Sequence, residues 1–367
     1  MLKEQTKHRK EQQSGLEGTE EMSSPYEIDA EDRALVLERY LDLYDLPRPC
    51  RVVKEESGKN NTTRIVYSGG SRYVLRLYDN HKEEAKVRLE HHVLHALSRM
   101  ELGFSVPRPV ACRSGGTIAV GKDGKLAALY IYIEGQRPDG EYGPHIYGLG
   151  QACGTMSGAL DGLILEDEPA YTPYYKLSSN YEHLDAAEMA SWVRGDEQLT
   201  GLLPQLELLE RVRGELMEAE AQLSSLPEQW VHGDVVFTNA VARGEEVVGV
   251  LDFEFCTIDL RAMELAVVLP ELIVEGRTER SLERLELFVE GFGSRRKLTA
   301  EEITAIPALM KLRMADVHLH FADRYQQQLD PPQEWAEQMK RTAFVCGWIE
   351  AHEPQLMELL RRHLPLF

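Results

Sequence analysis

Residues 229–255 read QWVHGDVVFTNAVARGEEVVGVLDFEF, and the spacing of their polar residues decides how the rest of the chain is read. An Asp follows His-Gly, an Asn stands five residues beyond it, and a second Asp closes the apolar run VVGVLD thirteen residues later. Phosphoryl transfer to a hydroxyl asks for positioning and charge neutralisation rather than covalent chemistry. One carboxylate must orient the attacking hydroxyl, and a few hard oxygen ligands must hold Mg²⁺ against nucleotide phosphates. Asp234 is read as the catalytic base, in a loop that Gly233 allows to turn tightly. Asn239 and Asp252 are read as the metal ligands. The pattern Ala240-Val241-Ala242, Arg243-Gly244-Glu245-Glu246, Val247–Leu251 predicts a hairpin that returns Asp252 to the side of Asn239. His232 has two readings, a proton shuttle or a residue that organises the loop. The second is preferred, because one Asp suffices as base.

This stretch resembles the aminoglycoside phosphotransferase and choline kinase superfamily, small-molecule kinases with a protein-kinase-like fold. His232, Gly233, Asp234 and Asn239 match its HGDxxxxN loop, Asp252-Phe253-Glu254 its metal-binding Asp, and Asp259, Arg261, Glu264, Leu265 and Ala266 a downstream element. The resemblance runs over about residues 30–350. It implies an α+β, two-lobed fold: a small N-terminal lobe with an antiparallel sheet and a helix, and a larger, mainly helical C-terminal lobe. ATP and Mg²⁺ are the implied cofactors. Arg76, in the strand VLRLY where the family often has Lys, is implied to bind phosphate, and Glu90 on the next helix to pair with it. The loop Ser57-Gly58-Lys59-Asn60-Asn61 resembles the family's nucleotide loop, giving Ser57, Gly58 and Asn61 as candidates; an ordinary hairpin turn is the alternative. Tyr132 and Ile133 are the nearest candidates for backbone contact with adenine. The family's usual Leu-His pair is replaced here by Met156-Ser157.

Around these motifs the chain divides into a polar tail (residues 1–27), expected to be disordered, a nucleotide lobe (28–134) and a helical lobe (135–367). Strands are expected at Arg64–Tyr67 and Tyr73–Tyr78 about a Ser68-Gly69-Gly70-Ser71 turn, and at Leu129–Ile133. Helices are expected at Glu31–Leu46, Lys82–Met100, Ile146–Leu160, Glu207–Ser224, Met263–Val274, Ser281–Gly291, Ala300–Tyr325 and Pro332–His352. Five scattered cysteines without a CxxC, and a polar start without an apolar signal segment, point to the cytoplasm. A formal charge of −20 argues against a nucleic-acid surface. No apolar run is long enough to span a membrane. A monomer or homodimer is expected.

The acceptor is a small molecule with a hydroxyl. The N-terminal pattern Ser57-Gly58-x-x-Asn61-Thr62, YVLRLY and Val106-Pro107, together with GVLDFEF, resembles homoserine kinases of this fold, which makes homoserine the specific alternative. Arg313 and Asp316, on one expected helix, are candidates for a substrate carboxylate and ammonium; a surface salt bridge is the competing reading. A catalytically silent kinase-like binding or coat protein is the alternative from another class, and a metal-dependent hydrolase built on His232 and Asp234 a third.

Overall fold

The computed structural model describes residues 37–54, 61–78 and 84–367, so the 1–27 tail and the candidates Ser57 and Gly58 lie outside the described residues. Six strands form an antiparallel sheet: β1 (Cys50–Lys54), β2 (Thr62–Ser68), β3 (Ser71–Tyr78), β4 (Arg108–Pro109), β5 (Ala119–Val120) and β6 (Leu126–Ile131). The order is β1-β2-β3-β6-β4, with β5 also on β6. Gly69 and Gly70 take positive φ (56° and 80°), as the two central residues of a tight hairpin require.

Alternation of side chains along a strand sorts this sheet into two faces. Leu75 and Leu77 of β3, with Ala127 and Leu129 of β6, pack under Leu37, Leu41 and Tyr44; of the expected Glu31–Leu46 helix, residues 37–41 are described and helical. Tyr78, Leu126, Ala128 and Tyr130 face the other way, onto Val93, Leu94 and Leu97 of α1 (Glu84–Leu97). Arg76 shares parity with Tyr78, so the strand's own period directs it toward α1 and away from the Leu75 core.

After β6 the chain is mainly helical: α2 (Gly143–Asp161), α3 (Leu177–Asn180), α4 (Ala186–Gly195), α5 (Leu203–Leu223), α6 (Met263–Ala266), α7 (Thr278–Gly293), α8 (Ala300–Gln326) and α9 (Pro332–His363). The expected helix Met263–Val274 ends at Ala266 and resumes as a 3₁₀ turn, Leu269–Leu272, because Pro270 removes a helix donor. The last helix runs eleven residues past the expected His352, through Pro354. Helices α2 and α7 cross at backbone contact. A Cβ on Gly150 would lie 2.1 Å from the Phe288 carbonyl oxygen, and one on Gly291 2.2 Å from that of Tyr147.

Two short antiparallel pairs interrupt the helices: β7 (Glu228–Val231) with β10 (Thr257–Leu260), and the hairpin of β8 (Ala240–Arg243) with β9 (Glu246–Val250). The strand-to-helix linker is fastened to this hairpin, since Gln136 and Ala242 exchange both backbone hydrogen bonds (2.9 and 2.7 Å). Gly135 makes that approach possible; a Cβ there would meet Val241 Cγ1 at 2.4 Å. No helix of the described residues is long and apolar enough to cross a membrane.

Candidate active site

β7 delivers the chain to His232, Gly233 turns it at φ 75°, and Asp234 follows. A single 3₁₀ turn, Phe237–Asn239, then brings Asn239 back over Asp234. The Asn239 Nδ2 donates to the Asp234 carbonyl (3.1 Å) and to its Oδ2 (2.7 Å). Committing the amide nitrogen in this way leaves the Asn239 side-chain oxygen to act as a ligand. Pairing of Ala240 with Val250 places Leu251 against Asn239, whose carbonyl accepts the Leu251 N–H at 2.8 Å. Asp252 comes next, in the left-handed region at φ 64°, ψ 69°. A non-glycine residue held there carries backbone strain, a cost that clusters at functional sites.

His232 is fully buried, and its ring bonds to the loop on both sides. Nδ1 accepts the Asp234 N–H at 3.2 Å, so Nε2 carries the proton and donates to the Leu251 carbonyl at 2.9 Å. Burial lowers its pKa and keeps it neutral. The His232 N–H is received by Glu264 Oε2 at 2.7 Å, which ties the loop to α6. Glu264 is itself fully buried, and burial raises its carboxyl pKa to about 7.

Arg76 faces three carboxylates: Asp252 at 2.7 Å, Glu254 at 2.9 Å and Glu90 at 3.5 Å. Burial opposes its charge, but Asp252 and Glu90 outweigh burial and raise its pKa. Asn61 donates to Glu254 at 2.6 Å, and is therefore attached to this cluster. Glu90 also accepts from Tyr78 (3.0 Å) and Tyr130 (3.1 Å), and His91 bonds to Tyr130 at 2.9 Å. Nothing in local sequence announces these tyrosines, because their partners lie 12 and 40 residues away.

On the other side of Asp234 stands Arg313 of α8, with Nη2 3.3 Å from Oδ1. Its Nη1 donates to the Tyr174 hydroxyl at 2.8 Å and lies 3.7 Å from Asp316, which accepts from Tyr181 at 2.8 Å. Arg313 thus points inward at the Asp234 loop, and the salt bridge of the competing reading is present as the Arg313–Asp316 pair, half-buried rather than on the helix surface. Burial raises the Asp234 pKa, with Arg313 opposing. Asp259 receives the Tyr174 N–H at 2.6 Å and so positions that tyrosine, while Arg261 forms a bidentate pair with buried Glu302. Met156 and Ser157 are fully buried, and the Ser157 carbonyl accepts from Gln229 of β7 at 2.8 Å.

Arg76, Glu90, Asp234, Asn239, Asp252 and Glu254 line a cleft of about 670 Å³ between the six-stranded sheet and the segment 234–255. Val74, Tyr130, Ile131, Tyr132, Ile133 and Leu251 give it apolar walls, and Arg76, Asp234, Asn239 and Asp252 its polar end. Among the described residues no three His, Cys, Asp or Glu converge as a metal cluster.

An antiparallel sheet with a helix, a mainly helical second lobe, and Asp, Asn and Asp at the polar end of the cleft between them define a small-molecule kinase. The chain belongs to the phosphotransferase enzyme family (APH), whose model matches residues 54–301. A homoserine kinase of Sinorhizobium fredii is 26% identical over 278 residues, 74% of this chain and 78% of its own. A microcompartment-associated aminopropanol kinase superposes at TM-score 0.61 with 17% identity, covering 88% of this chain and 98% of the other. An amicoumacin kinase solved with AMP-PNP and Ca²⁺ gives TM-score 0.64 at 17% identity, covering 86% and 93%.

Proposed function

We propose that the protein transfers the γ-phosphoryl group of ATP to a hydroxyl of a small metabolite. The geometry around Asp234 carries this reading. Its Oδ2 is held by Asn239 and its Oδ1 is steadied by Arg313, so the carboxylate is fixed at the cleft's polar end, ready to accept a hydroxyl proton. The freed Asn239 oxygen and the Asp252 carboxylate are hard donors that fit Mg²⁺, which takes few protein ligands beside phosphate and water. When bound, the ion neutralises charge on the phosphate oxygens. Arg76, steadied by Glu90, supplies a cation toward those phosphates. Its two-pronged guanidinium serves phosphate bidentately, where a Lys would act as a point charge. The backbone at Tyr132 and Ile133 is the proposed adenine rest. Asn61 is proposed to border the phosphates, and Arg313 and Asp316 the acceptor.

We place the lobe boundary at residues 134/135 and the protein in the cytoplasm, as a monomer or homodimer. A silent scaffold would have no need of Asp234, Asn239 and Asp252 together. The relatives named homoserine kinase make homoserine the first acceptor to try. The test is Mg-dependent ADP release across hydroxyl acceptors with Asp234→Asn as control. Turnover is expected to fall by about 10²–10⁴-fold in the variant while nucleotide binding persists. A variant that turns over like the wild type would overturn the base assignment.

A further inference from the structure

The cation beside the base comes from outside the catalytic loop. From Gln229 to Ala242 the chain carries neither Lys nor Arg. Arg76 is engaged on the sheet side, by Asp252, Glu254 and Glu90. Asp234 is met instead by Arg313 of α8, whose Nη2 lies 3.3 Å from Oδ1; among the described residues no other cation pairs with this carboxylate within 4 Å. Asn239 holds the second oxygen, Oδ2, at 2.7 Å. An arginine and an asparagine thus flank the base, one on each carboxylate oxygen. The side chains of Arg313 and Asp234 are 21% and 20% exposed, so a ligand can reach both while solvent screens their charges only in part.

Further contacts fix the guanidinium. Its Nη1 donates to the Tyr174 hydroxyl at 2.8 Å and lies 3.7 Å from Asp316. The Tyr174 N–H is received by fully buried Asp259 at 2.6 Å, and Asp316 accepts from Tyr181 at 2.8 Å. A cation fixed in advance needs no reorganisation when charge develops beside it. With Asp234 and Asp316 already at the guanidinium, a carboxylate on the acceptor would meet two like charges there and has no need to occupy that place. The transferring phosphoryl group has no such choice, because it must arrive where the acceptor hydroxyl meets Asp234.

We propose that Arg313 is a catalytic residue whose guanidinium contacts the phosphoryl group as it passes from nucleotide to acceptor, an arginine finger supplied by α8 of the same chain. This rests on the phosphotransferase reading. The hydroxyl oxygen must come to about 2.7 Å from Asp234 to give up its proton, and phosphorus to about 3–3.5 Å from that oxygen to be attacked. Both distances start from the carboxylate that Arg313 touches. In the step, the hydroxyl oxygen bonds to phosphorus, and the bond from phosphorus to the bridging oxygen of the β-phosphate breaks, its electron pair leaving with ADP. The hydroxyl proton passes to Asp234. Negative charge spreads over the three equatorial oxygens meanwhile, next to a carboxylate, and Arg313 offsets it. The guanidinium therefore borders the acceptor at its hydroxyl end.

Water as acceptor separates this role from recognition of any alcohol. Mg-dependent phosphate release from ATP without an alcohol is measured beside phosphorylation of homoserine. Arg313→Gln should lower kcat about 10³-fold in both reactions, leave the KM for ATP unchanged, and stay slow from pH 6 to pH 9. Arg313→Lys should recover only part of the rate, because an ammonium lacks the planar fork. Guanidinium ion should restore part of the rate to Arg313→Gly and none to Asp234→Asn. A raised homoserine KM with the water reaction untouched would make Arg313 a recognition residue and overturn the proposal. Recovery of Arg313→Gln at pH 9 would overturn it too. Burial raises the Asp234 pKa against Arg313, and a guanidinium that only kept this base ionised would be dispensable at high pH, with His232, Asp252 and Asn239 still facing the carboxylate. If Arg313→Gln does not fold, Arg313→Lys carries the test: an equal fall in both reactions supports the proposal, and a fall with homoserine alone overturns it. Where homoserine is not turned over, the water reaction decides alone: its loss in Arg313→Gln supports the proposal, and its persistence overturns it. No Mg-dependent release by the wild type, with water or any alcohol, overturns the phosphotransferase reading itself and the role of Arg313 with it.

Discussion

Replacing Arg76 with Met removes a cation that faces three carboxylates, and the structure sets the size of the loss. Asp252, with 32% of its side chain exposed, can be hydrated and contributes little. Glu254 and Glu90 expose 4% and 3% and cannot. A hydrogen bond to a charged group is worth about 1.5–3 kcal/mol. The Glu254 contact at 2.9 Å lies well within that range, and the Glu90 contact at 3.5 Å falls at its low end. Glu254 keeps the Asn61 amide, and Glu90 keeps two tyrosine hydroxyls. The expected destabilisation is about 3–5 kcal/mol, the size found when a buried pair loses one member. That is a large part of the roughly 5–15 kcal/mol that holds a folded domain together. The Glu90 pKa is already raised by burial, with Arg76 pulling it down. Without Arg76 it rises further. A carboxyl raised in the folded state contributes stability at low pH and loses it as pH climbs through the folded pKa. The deficit of Arg76→Met, measured by urea unfolding, should therefore be larger at pH 8 than at pH 5, and Arg76→Met/Glu90→Gln should recover part of it. A deficit below about 1 kcal/mol at pH 8, or one unchanged at pH 5, would refute this account.

Glu264→Gln keeps an acceptor for the His232 N–H and removes a buried ionisation. Raising the Glu264 pKa from 4.5 to about 7 makes ionisation cost roughly 3 kcal/mol above that pH, so the variant should gain on the wild type as urea unfolding moves from pH 5 to pH 8. Gly150→Ala and Gly291→Ala force a methyl group to about 2 Å from backbone oxygen, and each should cost about 3 kcal/mol, with lowered thermal midpoints. Gly158→Ala, on the same helix with open space around it, should instead stabilise by up to about 1 kcal/mol.

Much of the catalytic loop could be read in advance because its chemistry lies within one strand-turn-strand unit. The interval from Asp234 to Asn239 is bridged by one helical turn, and that from Asn239 to Asp252 by one hairpin, so local geometry converts spacing into proximity. The Gly69-Gly70 turn and the parity that aims Arg76 at α1 were equally local. Pro270 shows where periodicity misleads: the apolar pattern continues through it, but the helix does not, and a 3₁₀ turn results.

The contacts made over long separations had no such signal. Arg313 reaches Asp234 across 79 residues, and Glu254 meets Asn61 across 193. Sequence alone determined that Asp234, Asn239 and Asp252 converge, because one turn and one hairpin separate them and the backbone between them has little freedom. Only the tertiary structure decided which charges oppose one another across the cleft. Those pairings depend on how α8 and the six-stranded sheet stand against the loop, and that packing is fixed by the whole apolar core and by close backbone approaches such as Gly150 on Phe288.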